Sequence, residues 1–335
     1  MSISKKEILN QAIACFNSND LIQAKDKVEE FLSHEPKNID AINLKGGIFF
    51  KSNQFDKAVE IFEEGLEVDP INVTMLKNII TAQNNLGRYR DAYTHIEKLN
   101  QIENNSESSV IQLVNNLLLQ NKKQKALNLV NENLKKDETF NLLLSKANCL
   151  FELQNFRESK ILYKKLLEIN SINFHILFRL GYLCMEEKNF SNSIDYFKKI
   201  TANIEILKIN NNELALTYYN IGLCYEKIED YPNSEENYLT SITYNNSNLD
   251  AYVNLSNIHY AQDKIEEATT YMKKAIELNP NKRILYVNLS NIYDKAGKHN
   301  EAVFYKRVGT GNIVFKCSKE YGLYEINKVQ INEKI

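Results

Sequence analysis

The chain has no tryptophan, no Cys-x-x-Cys pair, no glycine-rich phosphate loop and no apolar run of the length a membrane span needs. Each absence removes a class of function. Without about eighteen consecutive apolar residues, no segment reads as a transmembrane helix. The first residues, MSISKKEILNQAIACFNSND, carry two lysines, but Asn10, Gln11 and Asn17 break the apolar stretch that a secretory leader requires. Cys15, Cys149, Cys184, Cys224 and Cys317 lie far apart, which indicates neither a zinc site nor a disulfide framework and fits a reducing compartment. A cytoplasmic location is the expectation. The formal net charge of -2 supplies no field for gathering nucleic acid or an anionic membrane, so neither is expected as a partner.

Catalytic groupings are missing as well. His34, His95, His175, His259 and His299 show no His-Glu-x-x-His or related ligand spacing. Of these, His259 falls on the buried side of a helix and reads as a core residue. Gly46-Gly47 and the Gly309/Gly311 pair lack the lysine and the strand-to-helix setting of a phosphate loop. Acidic pairs such as Glu63-Glu64 and Glu266-Glu267 read as solvated helix faces. Cys15, Cys149, Cys184 and Cys224 read as small apolar fillers near core positions. The expectation is therefore a protein that is no enzyme, with no cofactor and no metal.

What the chain does have is a period. One small residue recurs as Ala24, Ala58, Ala92, Ala126, Ser159, Ser193, Ser234, Ala268 and Ala302, at intervals of 34, 34, 34, 33, 34, 41, 34 and 34. A period of that length is the mark of a solenoid. Each unit reads as two amphipathic helices. In the second unit, Ile42, Gly46, Phe49 and Phe50 share one face of a first helix, the polar Ser52-Asn53-Gln54 interrupts, and Phe55, Ala58, Val59, Phe62 and Leu66 share a face of a second. Pro70 follows the end of that helix, because proline cannot continue it. The small residue marks a close helix crossing, where a larger side chain would push the backbones apart.

These units resemble tetratricopeptide repeats. The resemblance rests on Tyr218, Ile221-Gly222, Tyr225, Ser234 and Tyr238 in the seventh unit, on Tyr252, Leu255-Ser256, Ala268, Met272 and Pro280 in the eighth, and on Leu177, Leu180-Gly181, Ser193 and Phe197 in the sixth. The third and fourth units depart furthest, with Ile80 and Val114 at the glycine place and no closing proline. The resemblance covers about residues 5–309. It implies an all-α fold: a right-handed superhelical solenoid of about nine antiparallel helix hairpins, whose first helices line a concave groove that takes peptides or extended segments of partner proteins.

The organisation expected is six units over 5–207, an insertion at 208–214, three units over 215–309 and a non-repeat tail over 310–335. The insertion reads as a longer connection, as added helical turns, or as a break that divides a six-unit block from a three-unit block. The tail is rich in β-branched and aromatic residues and reads as a cap with two short strands around Lys319 to Gly322.

The sixth place of each unit, expected on the groove, holds Asn10, Leu44, Asn78, Gln112, Ser145, Arg179, Asn220, Asn254 and Asn288. Asparagine is about one residue in seven of this chain, so composition alone predicts about one in these nine places, and five are found. Asn257 and Asn291 lie three residues further along, on the same helix face. An asparagine amide both donates and accepts, so a row of them can pair with the backbone of an extended peptide whatever its side chains. A similar asparagine row lines the repeats of the O-linked N-acetylglucosamine transferases. The candidate peptide-binding residues are therefore Asn220, Asn254, Asn257, Asn288, Asn291, Asn78 and Arg179. The family's carboxylate clamp for chaperone tails is mostly missing: Asn115, His175 and Arg179 match it, while Ile111 and Ser145 replace a lysine and an asparagine. A protein-binding adaptor is the leading expectation. Its alternatives are a substrate-recognition arm for a glycosyltransferase or methyltransferase domain held elsewhere, and a structural subunit of a larger assembly. The oligomeric state is left open.

Overall fold

The structure, a computed structural model, describes residues 4–311, 314–315 and 323–324. Its helices pair in chain order into nine antiparallel hairpins. These are α1 (Lys5–Asn17) with α2 (Leu21–His34), α3 (Ile39–Lys51) with α4 (Phe55–Val68), α5 (Val73–Asn85) with α6 (Tyr89–Ile102), α7 (Glu107–Leu119) with α8 (Lys123–Leu134), and α9 (Phe140–Glu152) with α10 (Phe156–Ile169). After α11 (Phe174–Glu186) and α12 (Phe190–Thr201), a one-turn helix α13 (Ile204–Leu207) intervenes. The last three pairs are α14 (Asn211–Lys227) with α15 (Tyr231–Tyr244), α16 (Leu249–Ala261) with α17 (Ile265–Leu278), and α18 (Arg283–Lys295) with α19 (His299–Thr310). Among the described residues, no helix is long and apolar enough to cross a membrane.

The turn inside each hairpin uses one backbone device. Asn19, Asn53, Gly87, Asn121, Gln154, Lys188, Glu229, Asp263 and Gly297 all have positive φ, between 57° and 72°. Each stands at the fifteenth place of its unit, where a left-handed residue turns the chain back on itself. Asparagine and glycine accept that conformation at low cost. Part of the asparagine excess is spent here and part on helix starts. Asn38, Asn72, Asn173, Asn210 and Asn248 cap first helices by accepting a hydrogen bond from the backbone N–H three residues on.

The close crossing of the two helices is bridged as well as small. Where the recurrent small residue is serine, its hydroxyl donates to the backbone carbonyl twelve residues earlier: Ser159 to Ala147 at 2.9 Å, Ser193 to Gly181 at 2.8 Å and Ser234 to Gly222 at 2.8 Å. In the last two units the polarity reverses. Ser256 and Ser290 occupy the glycine place and donate to the carbonyls of Ala268 and Ala302, each at 2.7 Å. A buried hydroxyl thus stays paired in a dry crossing.

The departures in the third and fourth units have a steric cause. A Cβ added at Gly181 would lie 2.7 Å from the Phe197 ring, and one at Gly222 would lie 2.8 Å from the Tyr238 ring. In these two repeats the aromatic sixteen residues on fills the space a side chain at the glycine place would need, whereas the fifth repeat fits Ala147 beside Tyr163. In the third and fourth units that aromatic is replaced by Ile96 and Val130, and the vacated space holds Ile80 and Val114, 5% and 0% exposed. The hairpins form with an aliphatic pair in place of a glycine and a ring.

The chain packs as two compact units, residues 1–166 and 167–335, which divide within α10. In the first, one apolar cluster runs through α3 to α7, with Phe62, Met75, Leu76 and Ile79 buried, and others lie at α1 to α3 and at α7 to α9. In the second, Leu177, Phe197 and Ile221 form a cluster over α11, α12 and α14, Tyr238, Leu255 and Ile258 one over α15 and α16, and Met272, Leu285 and Leu289 one over α17 and α18. A fully buried ring or Leu contributes about 1.5–3 kcal/mol, and within each unit these clusters hold neighbouring hairpins together.

The insertion lies inside the second unit and does not mark the division between the two. Lys208 takes a left-handed conformation, Asn210 and Glu213 form a reciprocal capping box, and α14 starts at Asn211. Residues 208–210 thus make a turn, and 211–214 lengthen α14 at its N-terminus. Because the added residues extend a helix, α12 still packs on α14. In the tail, β1 (Val314–Phe315) pairs antiparallel with β2 (Leu323–Tyr324), Val314 opposite Tyr324 and Phe315 opposite Leu323. These strands flank the stretch expected to carry them. Cys317 and the rest of the tail lie outside the described residues.

Candidate functional site

Within each compact unit, asparagines of the row link the first helices of adjacent repeats. In the first unit, half-buried Asn78 donates from Nδ2 to Asn43 Oδ1 at 2.8 Å. In the second, Asn254 donates to the hydroxyls of Tyr219 at 3.3 Å and Tyr238 at 3.1 Å. Asn78 and Asn254 therefore both reach back 35 residues to the fifth place of the preceding repeat. At Asn220 and Asn288 the corresponding partners are Phe178 and Val253, which offer nothing to an amide. Asn220 is 8% exposed and Asn288 half-buried, and neither side chain has a hydrogen bond among the described residues. Asn257 and Asn291 are exposed on the same faces of α16 and α18. Arg179 is half-buried on α11, and its charge acts on Tyr182 three residues along.

The row is thus divided by chemistry. Asn78 and Asn254 tie neighbouring repeats together, while Asn220, Asn257, Asn288 and Asn291 keep their amides uncommitted. Asn254 spends its N–H groups, and its carbonyl oxygen has no partner among the described residues. The two compact units each hold part of the row: exposed Asn10 in the first likewise has no side-chain hydrogen bond among the described residues, and Asn220, Asn257, Asn288 and Asn291 lie in the second.

Sequence reasoning missed the polar groups beneath Asn254. Fully buried Tyr238 sits at the aromatic place of the seventh repeat, and its hydroxyl reaches out between helices to donate to Glu226 Oε2 at 2.7 Å. Burial, reinforced by the Glu226 carboxylate, pushes the Tyr238 phenol well above its ordinary range. The Tyr219 ring lies 5.6 Å from that of Tyr238, and its phenol is raised by burial and then by Asp250, with Glu226 adding to it. The signal was available: a tyrosine at a core place needs a partner for its hydroxyl, and the partners must come from facing first helices. Tyr163 solves the same problem in the fifth repeat by donating to Asn148 Oδ1 at 2.6 Å.

His259 is a core residue, 3% exposed, stacked on Tyr271 with 5.3 Å between ring centroids and 3.5 Å from the Glu235 carboxylate. Cys149, Cys184 and Cys224 are buried and Cys15 is half-buried. Burial pushes the thiols of Cys149 and Cys224 up to about 12 and about 11, which keeps them protonated and unreactive at neutral pH.

The comparisons with known proteins agree with this geometry. Models described as tetratricopeptide repeat match residues 39–72, 140–173, 174–202, 215–248 and 249–282. A Schizosaccharomyces pombe protein, DnaJ homolog subfamily C member 7 homolog, is 27% identical over 223 residues, covering 60% of this chain and 46% of that protein. The chain thus spans less than half of that relative's length. Among solved structures, the APC/C hetero-tetramer Cut9-Hcn1 superposes with a TM-score of 0.59 at 14% identity, over 86% of this chain and 56% of that one. A tetratricopeptide repeat protein from Parabacteroides merdae gives a TM-score of 0.50 at 16% identity, over 86% and 98%. These identities speak to the fold alone. With nine hairpins in one register, a left-handed turn at one place in each and family models matching five of them, the chain belongs to the tetratricopeptide repeat proteins.

Proposed function

We propose that this protein is a non-catalytic scaffold that holds an extended segment of a partner protein along the first-helix face of its last repeats. The observation that carries the reading is the set of uncommitted amides at Asn220, Asn257, Asn288 and Asn291, joined by the free carbonyl oxygen of Asn254. Each can pair with a peptide backbone N–H or C=O, which gives register without demanding particular side chains. Arg179 extends this face on α11, and Asn78 belongs to the separate row of the first unit. Because much of the contact is solvent-facing polar pairing, the affinity is moderate, about micromolar.

The reading is tested by affinity capture from lysate with the wild-type chain beside an Asn220→Ala, Asn254→Ala, Asn288→Ala variant, followed by titration of the captured partner. The variant should bind at least about tenfold more weakly with its helical circular dichroism unchanged. Equal capture and equal affinity would remove the groove from the account and move the contact to the second helices or the tail, as in a subunit of a larger assembly.

A further inference from the structure

The second helices of the first unit carry a charge pattern that the groove does not use. Their outward side chains stand at the eighteenth, nineteenth, twenty-second, twenty-fifth and twenty-sixth places of each repeat, exposed in α4 to α10 except for half-buried Lys98 and Asn131. In α4 these places read Asp56, Lys57, Glu60, Glu63 and Glu64. In α10 they read Arg157, Glu158, Ile161, Lys164 and Lys165, all within the first unit. The sign inverts at four of the five places, and the fifth sets Glu60 against an uncharged side chain. The middle two helices follow the same rule. Asp91 on α6 has Lys125 at its place on α8, and Lys98 has Glu132. The other three places there pair a neutral residue with a charged or neutral one. Over these ten pairs of places, six oppose unlike charges and none opposes like charges. Charges free to vary on solvated faces would be alike about as often as unlike. The match stops one turn on, where Glu67 and Glu168 are alike.

A two-fold axis accounts for the pairing of the second repeat with the fifth and the third with the fourth. The second helices of successive hairpins leave the same left-handed turn, at Asn53, Gly87, Asn121 and Gln154, and run in the same sense. An axis parallel to them, between α6 and α8, turns this face over onto its own copy. The α4 of one copy then lies over α10 of the other, and α6 over α8, with each place meeting the same place. A closed two-fold dimer uses every such pair twice.

The charges are available for this. Glu63, Glu64, Arg157, Lys164 and Lys165 form no ion pair among the described residues, and Asp56 meets Arg88 only in an exposed pair, with side chains 63% and 46% exposed. Exposed pairs of that kind are weak and exchange readily. Ile161, 51% exposed in the middle of the basic face, gives a partner apolar area to cover. A net charge of -2 sets up little repulsion between copies.

We propose that the chain pairs with a second copy of itself through the outer faces of α4, α6, α8 and α10, in reversed repeat order. Because the contact uses second helices of the first unit, it stands or falls apart from the peptide reading of the first helices.

Sedimentation velocity of the full chain tests it, at about 0.05 M and about 1 M salt, between which the screening length falls from beyond 10 Å to about 3 Å. The wild type should dimerise at low salt and bind itself at least about tenfold more weakly at high salt. Glu63→Lys with Glu64→Lys should weaken the low-salt dimer at least about tenfold, and so should Lys164→Glu with Lys165→Glu, each with unchanged helical circular dichroism. Mixing the two variants should restore a dimer, as should all four changes in one chain, since each then sets lysines against glutamates again. A monomer at low salt overturns the proposal. So does a dimer that both variants leave intact, or a loss that neither mixing nor the fourfold change restores.

Discussion

Two side chains show how single residues carry the account. At Gly181, an added methyl meets the Phe197 ring at 2.7 Å, and that ring is fully buried with no room to retreat. Gly181→Ala should therefore lower stability by about 1–3 kcal/mol, read as a shift in the urea midpoint, whereas a loss below a few tenths would show that the crossing is looser than described. His95 carries a pH dependence. Burial lowers its pKa from the ordinary value of 6.5, so the folded state favours neutral imidazole, held by Gln83 and the Asp91 carbonyl. The unfolded chain then binds the proton first, and stability present above about pH 6.5 falls as the pH drops through that value. Thermal melts between pH 7.5 and 5.5 should show this loss, and His95→Gln should flatten it; an equal slope in the variant would assign the effect elsewhere.

At the scale of the hairpin, the fold was legible because it is written in a period. The small residue, the turn and the glycine–aromatic pair recur at fixed places, and eight intervals near one value leave little freedom. Less legible was the exchange of serine donors between the two helices, since Ser234 and Ser256 make mirror-image bonds from opposite sides of the crossing. Spacing alone does not say which helix supplies the hydroxyl. The insertion was seen as seven extra residues, yet whether they loop out or extend a helix depended on the Asn210–Glu213 capping box. The turn offers a direct test of the element. Lys188 has φ of 58° where Gly87 and Gly297 serve in other repeats. Lys188→Gly should stabilise the sixth hairpin by up to about 1 kcal/mol, because glycine removes the left-handed strain at the expense of some unfolded-state entropy. A destabilised variant would mean that the lysine side chain contributes more than its backbone strain costs.

For the molecule as a whole, repeat architecture and binding surface were legible to different depths. That asparagines recur at the sixth place could be counted; which of them are free could not, because it depends on the neighbour one repeat back. Tyr219 consumes the amide of Asn254, and Val253 leaves that of Asn288 open. The hydrogen-bonded cluster at Tyr238 was hidden for the same reason, its members coming from α14, α15 and α16. The central claim is that the first helices of the last repeats, not the second helices, meet the partner. Hydrogen–deuterium exchange on the full chain, with and without a saturating captured partner segment, tests it most directly. Protection confined to α14, α16 and α18, centred on Asn220, Asn254 and Asn288, is the predicted result. Protection centred on α15, α17 and α19, with the first helices unchanged, would contradict the account.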